Sequence, residues 1–107
     1  MAFLQNELEA LAELKEKLIR GYSLLEFSIF GSKASGTDEL DSDIDVMIVL
    51  NQSSPVVESQ IDDIIFGINI KYDCLITALY FSREELEQGP FSESPIYKRA
   101  SQEGISF

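Results

Sequence analysis

The sequence contains no histidine and only one cysteine among its 107 residues. Histidine is the commonest general acid or base in enzymes and a frequent zinc ligand, so its absence excludes Ser-His-Asp chemistry and the usual zinc sites. A single cysteine, Cys74, cannot form a disulfide within the chain. We therefore expect a protein of a reducing compartment, the cytoplasm.

Positive charge is scarce as well. Eight Lys and Arg against nineteen Asp and Glu give a formal net charge of −11, and the basic residues form no long run. A nucleic-acid backbone is bound largely through clustered positive charge, so the composition argues against a nucleic-acid substrate. The amino-terminal region has no basic stretch followed by a long apolar segment, and the sequence predicts neither a signal peptide nor a membrane span.

The length predicts a single domain over residues 1–107. Such a domain buries about two thirds of its unfolded surface but has no room for a second substrate-binding lobe. We therefore expect any large acceptor to be another molecule. The oligomeric state stays open, and a homo-oligomer is one alternative.

The order of periodic segments predicts an α/β (α+β) fold, a small mixed sheet with helices packed on it. Leucines at three- and four-residue steps predict a first helix that ends at Gly21, and Ser54-Pro55 begins a crossover helix whose apolar stripe ends before Gly67. Such a crossover joins parallel strands. The expected strands and later helical segments are Leu24 to Phe30, Asp43 to Leu50, Ile68 to Ala78, a short helix after the capping box at Ser82, and a last helical stretch from Ser94-Pro95 to Gly104.

Two aspartates at the start of the second predicted strand are the strongest chemical signal. Asp43 and Asp45 flank Ile44, and because side chains alternate along a strand, both carboxylates leave one face while Ile44 enters the core. The preceding strand ends in Gly31-Ser32, which alone is an ordinary turn signal. There, glycine permits close backbone approach and serine adds a hydroxyl beside free N–H groups, an arrangement that suits phosphate.

A third carboxylate, Asp73, lies in the first half of the third predicted strand. Parallel pairing with the Asp43 strand is expected to bring Asp43, Asp45 and Asp73 to one edge of the sheet. Carboxylates about 6 Å apart repel by about 3 kcal/mol at an effective dielectric of about 20, so the trio predicts a bound cation. Oxygen ligands alone suit Mg²⁺ or Mn²⁺. A calcium loop beginning at Asp41 is rejected, because Val46 stands where such a loop requires glycine.

The spacing Gly31-Ser32, ten residues, then Asp43-Ile44-Asp45 resembles the motif of the polymerase-β-like nucleotidyltransferase superfamily. At this length the chain is similar to its minimal members, the MNT proteins encoded beside HEPN partners. The strand with Asp73 and an ending of the form Ser-Pro-Ile-Tyr followed by Glu-Gly-Ile also look like that family. The resemblance implies the polymerase-β-like fold.

The resemblance also implies an activity, the transfer of AMP from ATP to a tyrosine hydroxyl of a HEPN ribonuclease toxin, which the MNT antitoxin thereby silences. Asp43, Asp45 and Asp73 are then the catalytic and metal-binding residues. Ser32 and the backbone after Gly31 are expected to orient the terminal phosphates, and Lys33 to add positive charge.

One departure from the motif keeps alternatives open. Many members carry a second basic residue shortly after Gly-Ser, whereas this chain has Ser35. The second hypothesis is therefore a non-catalytic, nucleotide-binding module that neutralises its partner by docking alone. Transfer to a small molecule is a third hypothesis, but the related aminoglycoside enzymes have an additional helical domain that a chain of this size lacks.

Overall fold

The computed structural model describes residues 3–31, 43–88, 93–95, 97–98, 102 and 104–107. The helices and strands lie within residues 3–31, 43–88 and 104–107. They are, in order, α1 (Gln5–Gly21), β1 (Leu24–Phe30), β2 (Ile44–Leu50), α2 (Pro55–Tyr72), β3 (Ile76–Ser82), α3 (Arg83–Gln88) and β4 (Ile105–Ser106).

The strands form one mixed sheet in the order β3-β2-β1-β4. β1 is antiparallel to both β2 and β4, and β2 is parallel to β3 over seven residue pairs, from Ile44 opposite Ile76 to Leu50 opposite Ser82. The predicted mixed sheet and the parallel crossover are thereby confirmed. In this arrangement β1 ends where β2 and β3 begin, and we call this edge of the sheet the rim.

The helices α1 and α2 cover one face of the sheet. Apolar residues from both helices and from the strands meet there in a fully or almost fully buried core: Leu11, Leu14, Leu18, Ile44, Val46, Ile48, Leu50, Ile61, Ile65 and Ile68. The leucine stripe of α1 and the alternation along β2 therefore correctly predicted which side chains face the core. In the described ranges, no helix has the length and apolar character needed to cross a membrane.

The two covering helices are also tied to each other and to the sheet by polar contacts. The Lys71 ammonium and the Tyr72 hydroxyl, both on α2, donate to Glu13 Oε1 of α1 at 2.7 and 2.8 Å. The Tyr80 hydroxyl of β3 donates to Asp62 Oδ1 of α2 at 2.5 Å. Burial and this bond to Asp62 raise the pKa of Tyr80. The two bonds to Glu13 thus join α2 to α1, and the bond to Asp62 joins α2 to the sheet.

The amino end of α2 agrees with the prediction, but its carboxyl end does not. Val57 N–H donates to Ser54 Oγ at 3.2 Å, as expected of a serine cap followed by a first-turn proline. The helix then passes through Gly67 and ends at Tyr72, so the expectation that it stops before Gly67 was wrong. Ile68, which follows the glycine, continues the buried stripe of Ile61 and Ile65, and this packing outweighs the modest helix penalty of one glycine.

The third strand therefore begins later than predicted. Residues 68–72 are helical, Asp73 caps the helix in the left-handed conformation with φ 53°, and β3 starts at Ile76. The Asn69 side chain fixes this start, because its Oδ1 accepts from Ile76 N–H at 2.9 Å and its Nδ2 donates to Ile76 O at 3.2 Å. The assignment of residues 68–75 to a strand was wrong. Residues 68–72 alternate between apolar and polar side chains as a strand does, but five residues are too few to exclude the continuation of a helix.

The carboxyl-terminal part follows the predicted helical signals and then adds a strand that the sequence did not predict. Glu85 N–H donates to Ser82 Oγ at 3.1 Å at the start of α3, and Lys98 N–H donates to Ser94 O at 2.9 Å in a helical turn. The short β4 then pairs with β1. Phe107 packs its ring 6.1 Å from that of Phe27, which holds the end of the chain on the core.

Candidate functional site

The rim brings the end of β1 next to the start of β2. Phe30 lies opposite Asp45 in the antiparallel register, so the next residue, Gly31, stands beside the Asp45 side chain. Gly31 adopts φ +76°, and a Cβ placed on it would lie 2.7 Å from Asp45 Oδ2. No other residue has the freedom to adopt this backbone and leave that space. The structure thus explains the glycine of the Gly-Ser pair through its contact with a carboxylate.

The other oxygen of Asp45 is held from the opposite side. Thr77 lies opposite Asp45 in the parallel register, and its hydroxyl donates to Asp45 Oδ1 at 2.8 Å. Asp45 is half-buried and Thr77 is exposed. The carboxylate is therefore enclosed by the Gly31 backbone on one side and a strand hydroxyl on the other.

Asp43 lies directly before β2 and is exposed. Ile44, between the two aspartates, is fully buried under the helices, which agrees with the predicted alternation. The described part of the rim thus joins Gly31, Asp43 and Asp45. Ser32 and Lys33, the predicted phosphate-binding residues, and Ser35 lie outside the described residues.

Asp73 is the predicted site residue that the structure does not bring to the rim group. It ends α2, within the helical layer, and its carbonyl oxygen accepts from Asn6 Nδ2 of α1 at 3.3 Å. Asp45 instead leaves the sheet on the face opposite the helices. Within the described ranges, no group of three or more acidic or cysteine side chains is arranged to hold a metal ion. The described residues thus do not form the expected group of three carboxylates, and a ligand role for Asp73 stays a prediction.

The sequence reasoning missed Thr77. Threonine is a common strand residue, and nothing in its local sequence distinguishes it. The only available signal was the register of the parallel pair, which requires the start of β3 at Ile76 rather than at Ile68.

Two carboxylates on one rim still suit a divalent cation that arrives with a nucleotide. Mg²⁺ demands octahedral oxygen coordination and is usually bound through one or two carboxylates together with substrate phosphates and water. Asp43 and Asp45 can supply that share. A glycine in the left-handed region next to them also leaves room for phosphate oxygens to approach the backbone.

A second, smaller apolar cluster lies on the face of the sheet that carries Asp45, opposite α1 and α2, and farther from the rim. Met47, Val49 and Phe81 are buried in it, and the ring of Tyr97 packs edge-on against Phe81 at a centroid distance of 5.2 Å. The carboxyl-terminal region therefore covers part of this face. Tyr97 thus contributes to packing.

Cys74 takes no part in the candidate site. Its side chain is half-buried against the main core, and its thiol donates to Asn69 Oδ1 at 3.7 Å. Burial raises the pKa of the thiol, which disfavours the reactive thiolate. Cys74 is therefore a packing residue.

Comparison with protein families identifies the chain at this point. A family model described as a nucleotidyltransferase domain matches residues 11–100. The match includes the rim, the greater part of α1 and all elements from β1 to α3, and the chain therefore belongs to this nucleotidyltransferase family. A search of curated proteins finds no match.

A solved structure with a similar fold is described as "Crystal structure of the toxin-antitoxin with AMP-PNP". The TM-score is 0.63 at 16% sequence identity, and the alignment covers 96% of this chain and 72% of the other chain. At that identity the likeness shows the fold. It confirms the expected nucleotidyltransferase-like architecture of a mixed sheet with helices packed on it.

Proposed function

We propose that this nucleotidyltransferase is an antitoxin that transfers AMP from ATP to a tyrosine hydroxyl of a HEPN ribonuclease toxin and silences it. The observation that carries the proposal is the rim, where the Gly31 backbone packs against the Asp45 carboxylate beside Asp43. Family membership supports nucleotidyl transfer. The similar structure, a toxin-antitoxin with AMP-PNP, supports an adenine nucleotide and a protein partner.

In this proposal Asp43 and Asp45 hold Mg²⁺ or Mn²⁺ together with the triphosphate. A bound divalent cation supplies charge neutralisation on the phosphates and lowers the pKa of an attacking hydroxyl. A ligand role for Asp73, predicted from the sequence, has no support from its position at the end of α2. We therefore assign the cation to the two rim aspartates and the nucleotide alone.

The phosphate-binding part of the proposal involves Gly31, Ser32 and Lys33. The Gly31 backbone lies beside the carboxylate that would face the cation, so the terminal phosphates can approach both at once. Ser32 would donate a hydroxyl hydrogen bond, and Lys33 would add one positive charge. Attack on the α-phosphate breaks its bond to the β-phosphate and releases pyrophosphate, and the residues at the rim contribute by positioning and charge stabilisation.

The acceptor in this proposal belongs to a separate protein. The described chain builds one sheet with its covering helices and offers no second lobe that could enclose a large acceptor. A rim open to solvent suits a hydroxyl presented by another molecule. The strongly acidic composition supports a protein acceptor over a nucleic acid. That the reaction takes place in the cytoplasm stays a prediction from the sequence.

The direct test is an AMP-transfer assay. The protein is incubated with ATP labelled on the α-phosphate, Mg²⁺ and the protein encoded next to this chain, and label on the partner is measured with its tyrosine site by mass spectrometry. We expect transfer by the wild type, and a loss of at least about 100-fold for Asp43→Asn and for Asp45→Asn, because each substitution removes a charge that acts at the transition state.

Asp63→Asn provides the matched control. Asp63 is exposed on α2, so the substitution changes the net charge equally without touching the rim. Wild-type transfer with this variant would show that the location of the charge matters. Absence of any transfer by the wild type, or full transfer by Asp45→Asn, would disprove the enzymatic proposal.

A second candidate function is a non-catalytic module that binds nucleotide and neutralises its partner by docking. Two observations favour it, Ser35 in place of a second basic residue and the position of Asp73 at the end of α2 rather than in β3. If the Asp43→Asn, Asp45→Asn double variant protects cells from the partner as well as the wild type at equal expression, docking suffices. Loss of protection in that variant would exclude this alternative.

A further inference from the structure

We propose that Thr77 is a positioning residue that fixes the carboxylate of Asp45 for cation binding. The inference rests on the proposed role of Asp45 in holding a cation with the nucleotide. It adds to the site a residue that is neither acidic nor part of the Gly-Ser and Asp-x-Asp motif.

The geometry restrains both oxygens of the Asp45 carboxylate. Oδ1 accepts the Thr77 hydroxyl proton at 2.8 Å, and Oδ2 faces the Gly31 backbone at a distance that would bring it to 2.7 Å from an added Cβ. A carboxylate with one partner could rotate about its terminal torsion, which has a broad energy profile. With a hydroxyl on one side and backbone on the other, its plane is fixed before a cation arrives.

Threonine is well suited to this task at this place. Its β-branched side chain has a restricted first torsion, so a strand holds the hydroxyl in a defined direction. The parallel register places Thr77 directly opposite Asp45. One hydroxyl donor leaves the remaining lone pairs of the carboxylate for a cation and, unlike a third carboxylate, adds no repulsion.

The hydrogen bond contributes little to holding the strands together. β2 and β3 are joined by seven consecutive residue pairs, and Thr77 is exposed. Removing an exposed hydroxyl from such a sheet changes stability by little, since water replaces the lost partner. A loss of function without a loss of stability would therefore report on the orientation of Asp45.

The effect of removing a residue that orients a metal-binding side chain is known from other proteins. Replacing such a partner lowers metal affinity or activity by about 10- to 100-fold. We accordingly expect Thr77→Val, which keeps the branched shape and removes the hydroxyl, to weaken cation binding about 10-fold or more. Thr77→Ser retains the hydroxyl and should keep affinity within about 3-fold of the wild type, the loss reflecting its freer torsion.

The test measures Mn²⁺ binding in the presence of a non-hydrolysable ATP analogue, with the free ion followed by electron paramagnetic resonance. Urea unfolding of each variant is recorded in parallel. The proposal requires weakened Mn²⁺ binding in Thr77→Val, restored binding in Thr77→Ser, and equal unfolding free energies in all three proteins. Unchanged Mn²⁺ affinity in a folded Thr77→Val, or equal losses in the Val and Ser variants, would overturn it.

The binding readout separates this inference from the proposed function. If the wild type binds Mn²⁺ with the nucleotide analogue and Thr77→Val binds it less well, the inference holds even when no AMP transfer is detected. If AMP transfer occurs and Thr77→Val binds Mn²⁺ like the wild type, the inference fails and the proposed function stands. A wild type that binds no Mn²⁺ with the analogue would overturn the inference whatever the transfer assay shows.

Discussion

On the face of the sheet that α1 and α2 cover, Ile44, Val46 and Ile48 are completely buried and pack against helix residues that are equally inaccessible. On the opposite face, the neighbouring β2 position holds the half-buried Asp45, which contacts Gly31 and the exposed Thr77. A shift of one residue along the same strand thus separates a closed core from a polar site.

The comparison shows two kinds of constraint on one strand. The covered face depends on apolar volume, so many sequences with the same pattern can form it. The rim face depends on the contacts of one carboxylate with a glycine on β1 and a hydroxyl on β3. Substitutions on the covered face should therefore affect stability first, and substitutions at the rim should affect cation binding first.

The largest effect is expected from the covered face. Leu14 on α1 is fully buried, and Leu14→Ala should lower the free energy of unfolding by about 2–5 kcal/mol because a cavity remains. Leu8→Ala on the same helix, where the side chain is 36% exposed, should lower it much less. Urea unfolding checks both, and equal losses would contradict the assignment of the core.

Gly31→Ala should have a smaller effect on stability and a larger one on the site. The residue has φ +76° and its new methyl group would meet Asp45 Oδ2, so we expect a loss of about 1–2 kcal/mol for the left-handed backbone. Mn²⁺ affinity should fall as Asp45 is displaced. Gly67→Ala, in the open interior of α2, should instead stabilise the protein by about 0.5–1 kcal/mol and leave Mn²⁺ binding unchanged. Destabilisation of the same size at both glycines would contradict this contrast.

Asn69 connects the two faces, because its side chain fixes where β3 begins. Asn69→Ala leaves the N–H of Ile76 without the side-chain acceptor that it has at 2.9 Å, and we expect a loss of about 1 kcal/mol. The register that places Thr77 opposite Asp45 should also loosen. Faster amide hydrogen exchange at residues 76–78, with the α1 amides unchanged, is the expected result, and uniform exchange throughout would contradict it.

The smallest effect is expected between the helices and depends on pH. The hydrogen bond from Lys71, which has the largest effect, and the hydrogen bond from Tyr72 lower the pKa of Glu13 from 4.5 to about 2. This contribution is present above pH 4.5 and is lost as the pH falls toward 2. Since Lys71 is exposed and its charge is screened, we expect no more than about 1 kcal/mol. The stability difference between wild type and Glu13→Gln should shrink from pH 7 to pH 3, and a constant difference would contradict the assignment.

The sequence was sufficient to predict the covered face of the sheet and part of the rim. The period of the leucines in α1, the cap at Ser54 and the alternation around Ile44 each depend on neighbours in sequence, and the structure agrees with all three. The meeting of Gly31 and Asp45 follows from a simple rule as well, because antiparallel neighbours joined by one connection share an edge of the sheet.

The end of α2, the start of β3 and the strand β4 could not be predicted, because they depend on contacts between residues distant in sequence. Gly67 resembled a helix end, and the packing of Ile68 against the sheet extended α2 instead. That extension moved Asp73 to a helix cap and placed Thr77 opposite Asp45. The two residues of β4 carry too little pattern of their own and gain their conformation from pairing with β1.

The paramagnetism of Mn²⁺ tests most directly whether the rim holds the cation. Substoichiometric Mn²⁺ with a non-hydrolysable ATP analogue is added to ¹⁵N-labelled protein, and the broadening of each amide signal is recorded against a Mg²⁺ reference. We expect the strongest broadening at Gly31, Asp43, Asp45 and Thr77, with little at Glu13 or Lys71. Broadening centred on the outer surface of α1 and α2, or none at the rim, would contradict it.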